Sequence, residues 1–177
     1  CPSENFGSWD SDFGTGLSND ASQIYRIDQQ TNNVELVSSA DDGSLGNDHS
    51  HTCNSDIGGF IRCSPVSSSG RYIASTSKAT NLVSGSEDHW QIYVKDMQLN
   101  TTEMISISSD GIIGNSDSKA PSISGDGRYV VFESKATNLD STDNNVRSDI
   151  YVHDRETDTT VLISRSYDGG IANGVSE

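Results

Sequence analysis

Hydrophobic residues in this chain come in short bursts. "RYVVF" (128–132), "DIYV" (149–152) and "TTVLIS" (159–164) stand between long polar stretches rich in Ser, Gly, Asn and Asp. The bursts are four to six residues long and heavy in β-branched and aromatic side chains. Such runs make short strands covered on both faces, not a helix with one apolar stripe. No helix start signal followed by a 3.6-residue period occurs along the chain. From Ala120 onward the pattern predicts four strands in succession. The first is short ("APSIS"), followed by a Gly125–Gly127 turn in which Gly supplies positive φ. "RYVVFES" is the second, with Tyr129, Val130, Val131 and Phe132 divided between two faces. "SDIYVHD" is the third, with Ile150 and Val152 on one face and Tyr151 on the other; "TTVLISRS" is the fourth, closed by "YDGG".

This four-strand phrase is written more than once. "SKATNL" occurs at 77–82 and again at 134–139, inside longer matches that begin at Pro65 and Pro121. "IYVKDMQLNTTEMISISSDGIIGN" from Ile92 aligns without a gap to "IYVHDRETDTTVLISRSYDGGIAN" from Ile150, and a third copy starts at Ile24. The spacings are 68 and 58 residues, the longer one carrying an insertion around "DHSHTCNSDIGGF". The chain therefore reads as three units: 1–64, a degenerate unit with the insertion, then 65–120 and 121–177. Periods of this length mark propellers and arrays. The expected fold is all-β, with β-propeller blades of four antiparallel strands. A β-sandwich of short strands is the competing architecture, but it has no need of a repeated unit. Propellers close with about four to eight blades. Three blades therefore imply neighbours, either further blades or copies of the same chain.

The unit of Pro121 and its partner strands resembles the TolB-like β-propeller repeat. The shared features are the proline-led first strand, the D-G-R-Y turn into an "FxS" strand, the A-T-N-L loop, the "DIYVxD" strand and the terminal S-x-D-G hairpin. The third unit matches over its full length and the second nearly so. The first keeps "IY…D" and "DDG" but has "ENFGSWDSDFG" in place of the R-Y strand. The resemblance implies a fold and a binding or assembly scaffold, and it implies no particular activity.

Charge narrows the partners. Asp and Glu number 26 against 11 Lys and Arg, a formal net charge of −15, which repels nucleic acid and anionic lipid surfaces. No apolar run approaches the ~18 residues of a membrane span. Cys53 and Cys63 bracket a short loop and match no zinc spacing, so a disulfide between them is expected. Cys1 is left over. A disulfide implies an oxidising compartment, so the expected location is extracellular or periplasmic.

Candidate sites lie where the copies diverge. "DSTDNNVRSD" places Asp140, Asp143, Asn145 and Asp149 within ten residues, the oxygen-rich spacing a hard cation such as Ca²⁺ needs. An Asx-rich turn capping its own backbone is the alternative. Asp10, Asp12 and Asp20 form a weaker calcium-loop beginning that no acidic residue completes at the expected distance. His49 and His51, two apart beside Asp48, would share one face of a strand, with no evident third metal ligand. His89 and Trp90 suggest a sugar- or peptide-binding aromatic, or packing over the blade edge. Asp28, Asp96 and Asp154 recur at one blade position, where bonding of the adjacent turn is expected. No G-x-S-x-G, H-E-x-x-H or phosphate loop is present. The expected function is a non-catalytic extracellular module for protein–protein interaction or self-assembly, with Ca²⁺ as the cofactor to look for. The alternatives are a lectin-like carbohydrate- or peptide-binding propeller, and the propeller part of a larger secreted enzyme.

Overall fold

The structure is a computed structural model; it describes residues 21–28, 31–52, 64–143 and 145–165, and the backbone of 6–9. Eleven strands are described: β1 (Phe6–Trp9), β2 (Gln23–Ile27), β3 (Val34–Leu36), β4 (Ser50–His51), β5 (Tyr72–Ser77), β6 (Gln91–Asp96), β7 (Thr101–Met104), β8 (Ser118–Ile123), β9 (Tyr129–Ser134), β10 (Asp149–Asp154) and β11 (Thr159–Leu162). They form three antiparallel meanders in chain order, β1-β2-β3, β4-β5-β6-β7 and β8-β9-β10-β11. This is the all-β, blade-by-blade architecture that the strand pattern predicts.

Each turn is built from local chemistry. In the β8–β9 turn Gly127 takes φ +82°, and the Asp126 carboxylate accepts from Arg128 N and Ser124 Oγ. Gly70 plays the same part before β5 at φ +69°. The β6–β7 and β10–β11 turns place Asn100 and Asp158 in the left-handed region (φ 57° and 56°), which short polar side chains tolerate best.

The sheets of the second and third blades begin earlier than Pro65 and Pro121. Ser50 pairs with Ser77 in the second blade as Ser118 pairs with Ser134 in the third, and each serine pair shares a 2.8 Å side-chain hydrogen bond. Asp48–His51 thus belongs to the repeat and corresponds to Ser116–Lys119. The insertion enters only after it. In β8 the register slips between Lys119 and Ser122, with Ala120 at φ +52°. In the second blade the extra residues fall, in sequence, between the His51–Thr76 pairing and the Val66–Ile73 bridge. Cys53 and Cys63, and with them the expected disulfide, lie outside the described residues.

The core is made between blades, not within them. Each sheet has a leading face toward the preceding blade and a trailing face toward the next. Ala74, Ile92, Val94 and Ile105 on the trailing face of the second blade meet Val130, Phe132, Tyr151 and Leu162 on the leading face of the third. Ile24 and Val37 of the first blade meet Ile73 of the second in the same way. Full burial of one such aliphatic or aromatic side chain is worth about 1.5–3 kcal/mol, so these interfaces are what hold thin, polar blades together. Sandwiched on both sides, β6 is buried at every position, whereas β9 and β10 alternate residue by residue.

Candidate functional site

The repeated phrase "SKATNL" turns out to be a joint between blades. Ser77 and Ser134, closing β5 and β9, accept from the amides of Ala79 and Ala136 at 3.0 Å. Those alanines and the following Leu82 and Leu139 are buried. The Thr-Asn pair between them grips the preceding blade. Asn115 donates Nδ2 to Thr137 Oγ1, accepts from Thr137 N on its Oδ1, and gives its own amide to Asn138 Oδ1, at 2.9–3.1 Å. Asn138 Nδ2 adds a bond to Ile113 O. Asn47, Thr80 and Asn81 repeat the arrangement bond for bond between the first and second blades. The pairing is invisible to a reading of single motifs. Its only signal was that Gly46-Asn47 and Gly114-Asn115 recur together with Thr-Asn.

A second set of joints lies along the outer strands. Thr102 donates Oγ1 to Ser39 O and its amide to Asp41 Oδ1, and the Lys95 ammonium reaches Ser39 O, Asn100 O and Thr102 Oγ1 at 3.1–3.3 Å. Burial pushes the Lys95 ammonium below its ordinary pKa, partly offset by Asp41. In the third blade His153 takes the place of Lys95 and bonds Thr160 Oγ1 at 2.9 Å, while Thr160 bonds Ser109 and Ile107 O. Arg26 bridges Glu35 to Gly70 O, and Arg155 bridges Glu103 to Gly127 O with its guanidinium 4.3 Å above the Tyr72 ring. Tyr72, Asp126, Gly127, Arg128, Arg155 and Glu156 border an open groove of about 390 Å³ at this end of the molecule. Its two arginines are already paired with carboxylates.

The recurring aspartates do the structural work their position suggested. Asp96 accepts a two-pronged bond from Arg71 and the amides of Gln98 and Leu99; Asp154 accepts from Arg128 and Glu156 N. The Arg71 guanidinium holds the Asp96 carboxyl down at about 2, and Arg128 holds Asp154 lower still. Asp28 accepts from Thr31 N.

The acidic loop after Leu139 spends its oxygens on protein donors. Asp140 accepts from Thr142 and Leu162 N, Asp143 from Asn145 N and Tyr151 Oη (2.6 Å), and Asp149 from Ser164 Oγ and Asn145 Nδ2; Asn145 Oδ1 takes Arg147 N. Among the described residues no group of three or more His, Cys, Asp or Glu is placed to hold a metal ion. These bonds cap nearby amides in the manner of Asx turns. Asp149 stands where Gln23 and Gln91 stand in the other blades, and its link to Ser164 corresponds to the Ser38–Gln23 and Ser106–Gln91 bonds. Asp10, Asp12 and Asp20 lie outside the described residues.

His49 and His51 do share a face, with rings stacked at 6.3 Å. The half-buried Trp90 packs on His51 at 5.3 Å with Lys78 Nζ 5.9 Å from its ring, and its amide donates to Asp117 Oδ1. His89 sits 3.8 Å from the same carboxylate. The structure thus gathers His49, His51, Lys78, His89 and Trp90 at the end of the blades opposite the arginine groove.

The feature that separates the blades is what remains uncovered. On the trailing face of the third blade, Tyr129, Val131, Val161 and Ile163 are 41%, 36%, 46% and 48% exposed, around half-buried Ile150 and Val152. The second-blade counterparts of Val131, Ile150, Val152 and Ile163 are Ala74, Ile92, Val94 and Ile105, at most 1% exposed because the third blade lies on them, while Tyr72 and Glu103, in the places of Tyr129 and Val161, meet Arg155 of the third blade at the rim.

Among solved structures the chain is similar to a protein described as TolB from Agrobacterium tumefaciens, at 18% identity and TM-score 0.45, over 81% of this chain and 41% of that one. It is also similar to the tricorn protease, at 15% identity and TM-score 0.44, over 82% of this chain and 11% of that one. The chain spans less than half the length of either protein. No protein family and no curated protein matches it.

Proposed function

We propose that this chain is a non-catalytic, extracytoplasmic propeller module that binds protein through the side of its last blade. The observation that carries this reading is the apolar trailing face of the third blade. A sheet face of valine, isoleucine and tyrosine left in water is a recognised mark of an interaction site. The Thr-Asn latches and the Lys95 and Arg155 networks join blades, and each recurring carboxylate is occupied by a turn or an arginine, which favours the sheet side as the working surface. The net charge of −15 keeps that surface from nucleic acid and directs it to protein.

The test is a photo-crosslinking amino acid at Val152, with the same group at the exposed polar position Ser141 as control. The reading expects protein adducts from Val152 and none from Ser141. Equal or absent labelling at the two positions overturns it.

The Trp90 cluster supports a second reading, recognition of a carbohydrate or peptide. An aromatic platform flanked by imidazoles and an ammonium suits a sugar ring or an acidic peptide. Titration with neutral oligosaccharides or acidic peptides would then change Trp90 fluorescence, and the change would vanish in Trp90→Phe. A silent titration removes this reading.

A further inference from the structure

Among the described residues both end faces of the three-blade stack lack a neighbouring blade. At each internal interface the trailing face of one blade takes the leading face of the next. The leading positions of the third blade are Tyr151, His153, Thr160 and Leu162, all buried against the second blade. In the second blade they are Tyr93, Lys95, Thr102 and Met104; Lys95 and Thr102 bond Ser39 O of the first blade, and Tyr93 and Met104 are buried with Ala79 and Leu82. In the first blade the same positions hold Tyr25, Ile27, Val34 and Leu36, with Tyr25 opposite Leu36 and Ile27 opposite Val34 on one side of the sheet. None of these four is buried, and Val34 is 57% exposed. Hydrophobic side chains here replace the lysine and threonine of the second blade and the histidine and threonine of the third. The leading face of the first blade is thus apolar and open, as is the trailing face of the third.

Resting on the reading of the chain as an interaction module, we propose that the trailing face of the third blade takes the leading face of the first blade of a second copy, joining chains head to tail. The occupant follows from the internal interfaces, because Tyr25 and Leu36 hold the positions of Tyr151 and Leu162, which cover Ile92 and Val94, with Gly7 in the place of Phe132. Such a contact is heterologous, so it runs on from copy to copy or closes into a ring.

Sedimentation velocity of the full chain tests this, from about 1 to about 100 μM, the range over which a moderate self-association shows as concentration-dependent mass. Ile163→Asp, at the counterpart of the buried Ile105, spoils the trailing face and Val34→Asp the leading face. Both positions are solvent-exposed, so far-UV circular dichroism should be unchanged; Val131→Lys is a second trailing-face variant. The wild type should gain mass with concentration, and each variant alone should associate at least about ten-fold more weakly. Mixing Ile163→Asp with Val34→Asp should restore a one-to-one pair, since each variant keeps the face the other lacks. An isologous contact or nonspecific stickiness would not show that complementation. A wild type that stays at single-chain mass, or a mixture that stays monomeric, overturns head-to-tail docking. If Val152 then still crosslinks to a different protein, the interaction reading stands without it. If Val152 yields no adduct at all, both fall.

Discussion

Gly127 and the Tyr72 ring decide whether the β8–β9 turn can form next to the preceding blade. Gly127 combines φ +82° with a position where an added methyl would overlap the Tyr72 ring of the preceding blade. Gly111 has a similar φ, +76°, with nothing nearby. Gly111→Ala should cost about 1–2 kcal/mol from the backbone alone. Gly127→Ala should cost about 1–3 kcal/mol more from the clash, and a Tyr72→Ala background should abolish that excess. Equal urea midpoints for the two alanine variants would refute the steric account. The Arg71–Asp96 pair makes a separate prediction with pH. Asp96 titrates at about 2 when folded, below the ~3.9 of an unfolded aspartate. A depressed carboxyl contributes stability above its unfolded pKa and loses it as pH falls through the folded value. The unfolding midpoint should therefore be flat in this respect above about pH 5 and decline from about pH 4 toward 2. Asp96→Asn should be less stable at neutral pH and show a shallower acid decline. Parallel curves for the two proteins would show that the pair does not titrate as described.

The "SKATNL" loop is an element whose role appears only when two blades are seen together. Asn115 makes three of its hydrogen bonds to Thr137 and Asn138, each worth about 0.5–1.5 kcal/mol net and toward the lower end at an exposed site. Asn115→Ala should cost about 1–2 kcal/mol, and so should Asn138→Ala. Because both remove the same latch, their double variant should cost clearly less than the sum. Additive costs would mean that the amides act independently and that the latch is not one unit. The loops beyond the latch differ because nothing in the joint restrains them. One becomes the Asp140–Asp149 turn, closed by Tyr151, and the other leads to His89 and Trp90. Burial and the adjacent Asp143 carboxylate together push the Tyr151 hydroxyl well above its ordinary pKa, so it remains a donor throughout the accessible range.

Across the whole molecule, homologous residues differ in worth according to which blade they sit in. Ile92 and Ile150 occupy one position of the repeat, yet Ile92 is fully buried between blades while Ile150 faces outward, half-covered. Ile92→Ala should cost about 2–5 kcal/mol. Ile150→Ala in dilute protein should cost less than about 1 kcal/mol. Chemical denaturation at low protein concentration measures both, and equal losses would mean that the trailing face of the third blade is already covered in the free chain. The same asymmetry explains why β6 is buried throughout and β10 is not, although both read "IYV".

The all-β class, the strand order of the second and third blades and the turn positions were legible in the amino-acid sequence, because each rests on local chemistry. Alternation marks the strands, glycine and Asx residues mark the turns, and the repeat marks the blade. Asp28, Asp96 and Asp154 could be assigned to their turns for the same reason, since the turn amides they accept from lie within three residues, whereas the arginines paired with Asp96 and Asp154 lie 25 and 26 residues away. What the chain pattern did not carry was anything that depends on a neighbour in space. The Thr-Asn latch joins residues 22–34 positions apart, and the insertion point was visible only once Ser50 and Ser118 were seen in equivalent pairings. Val94 and Val152 look alike in the sequence. Only tertiary packing, which places a third blade over the second and leaves the third's own trailing face open, makes one of them core and the other surface.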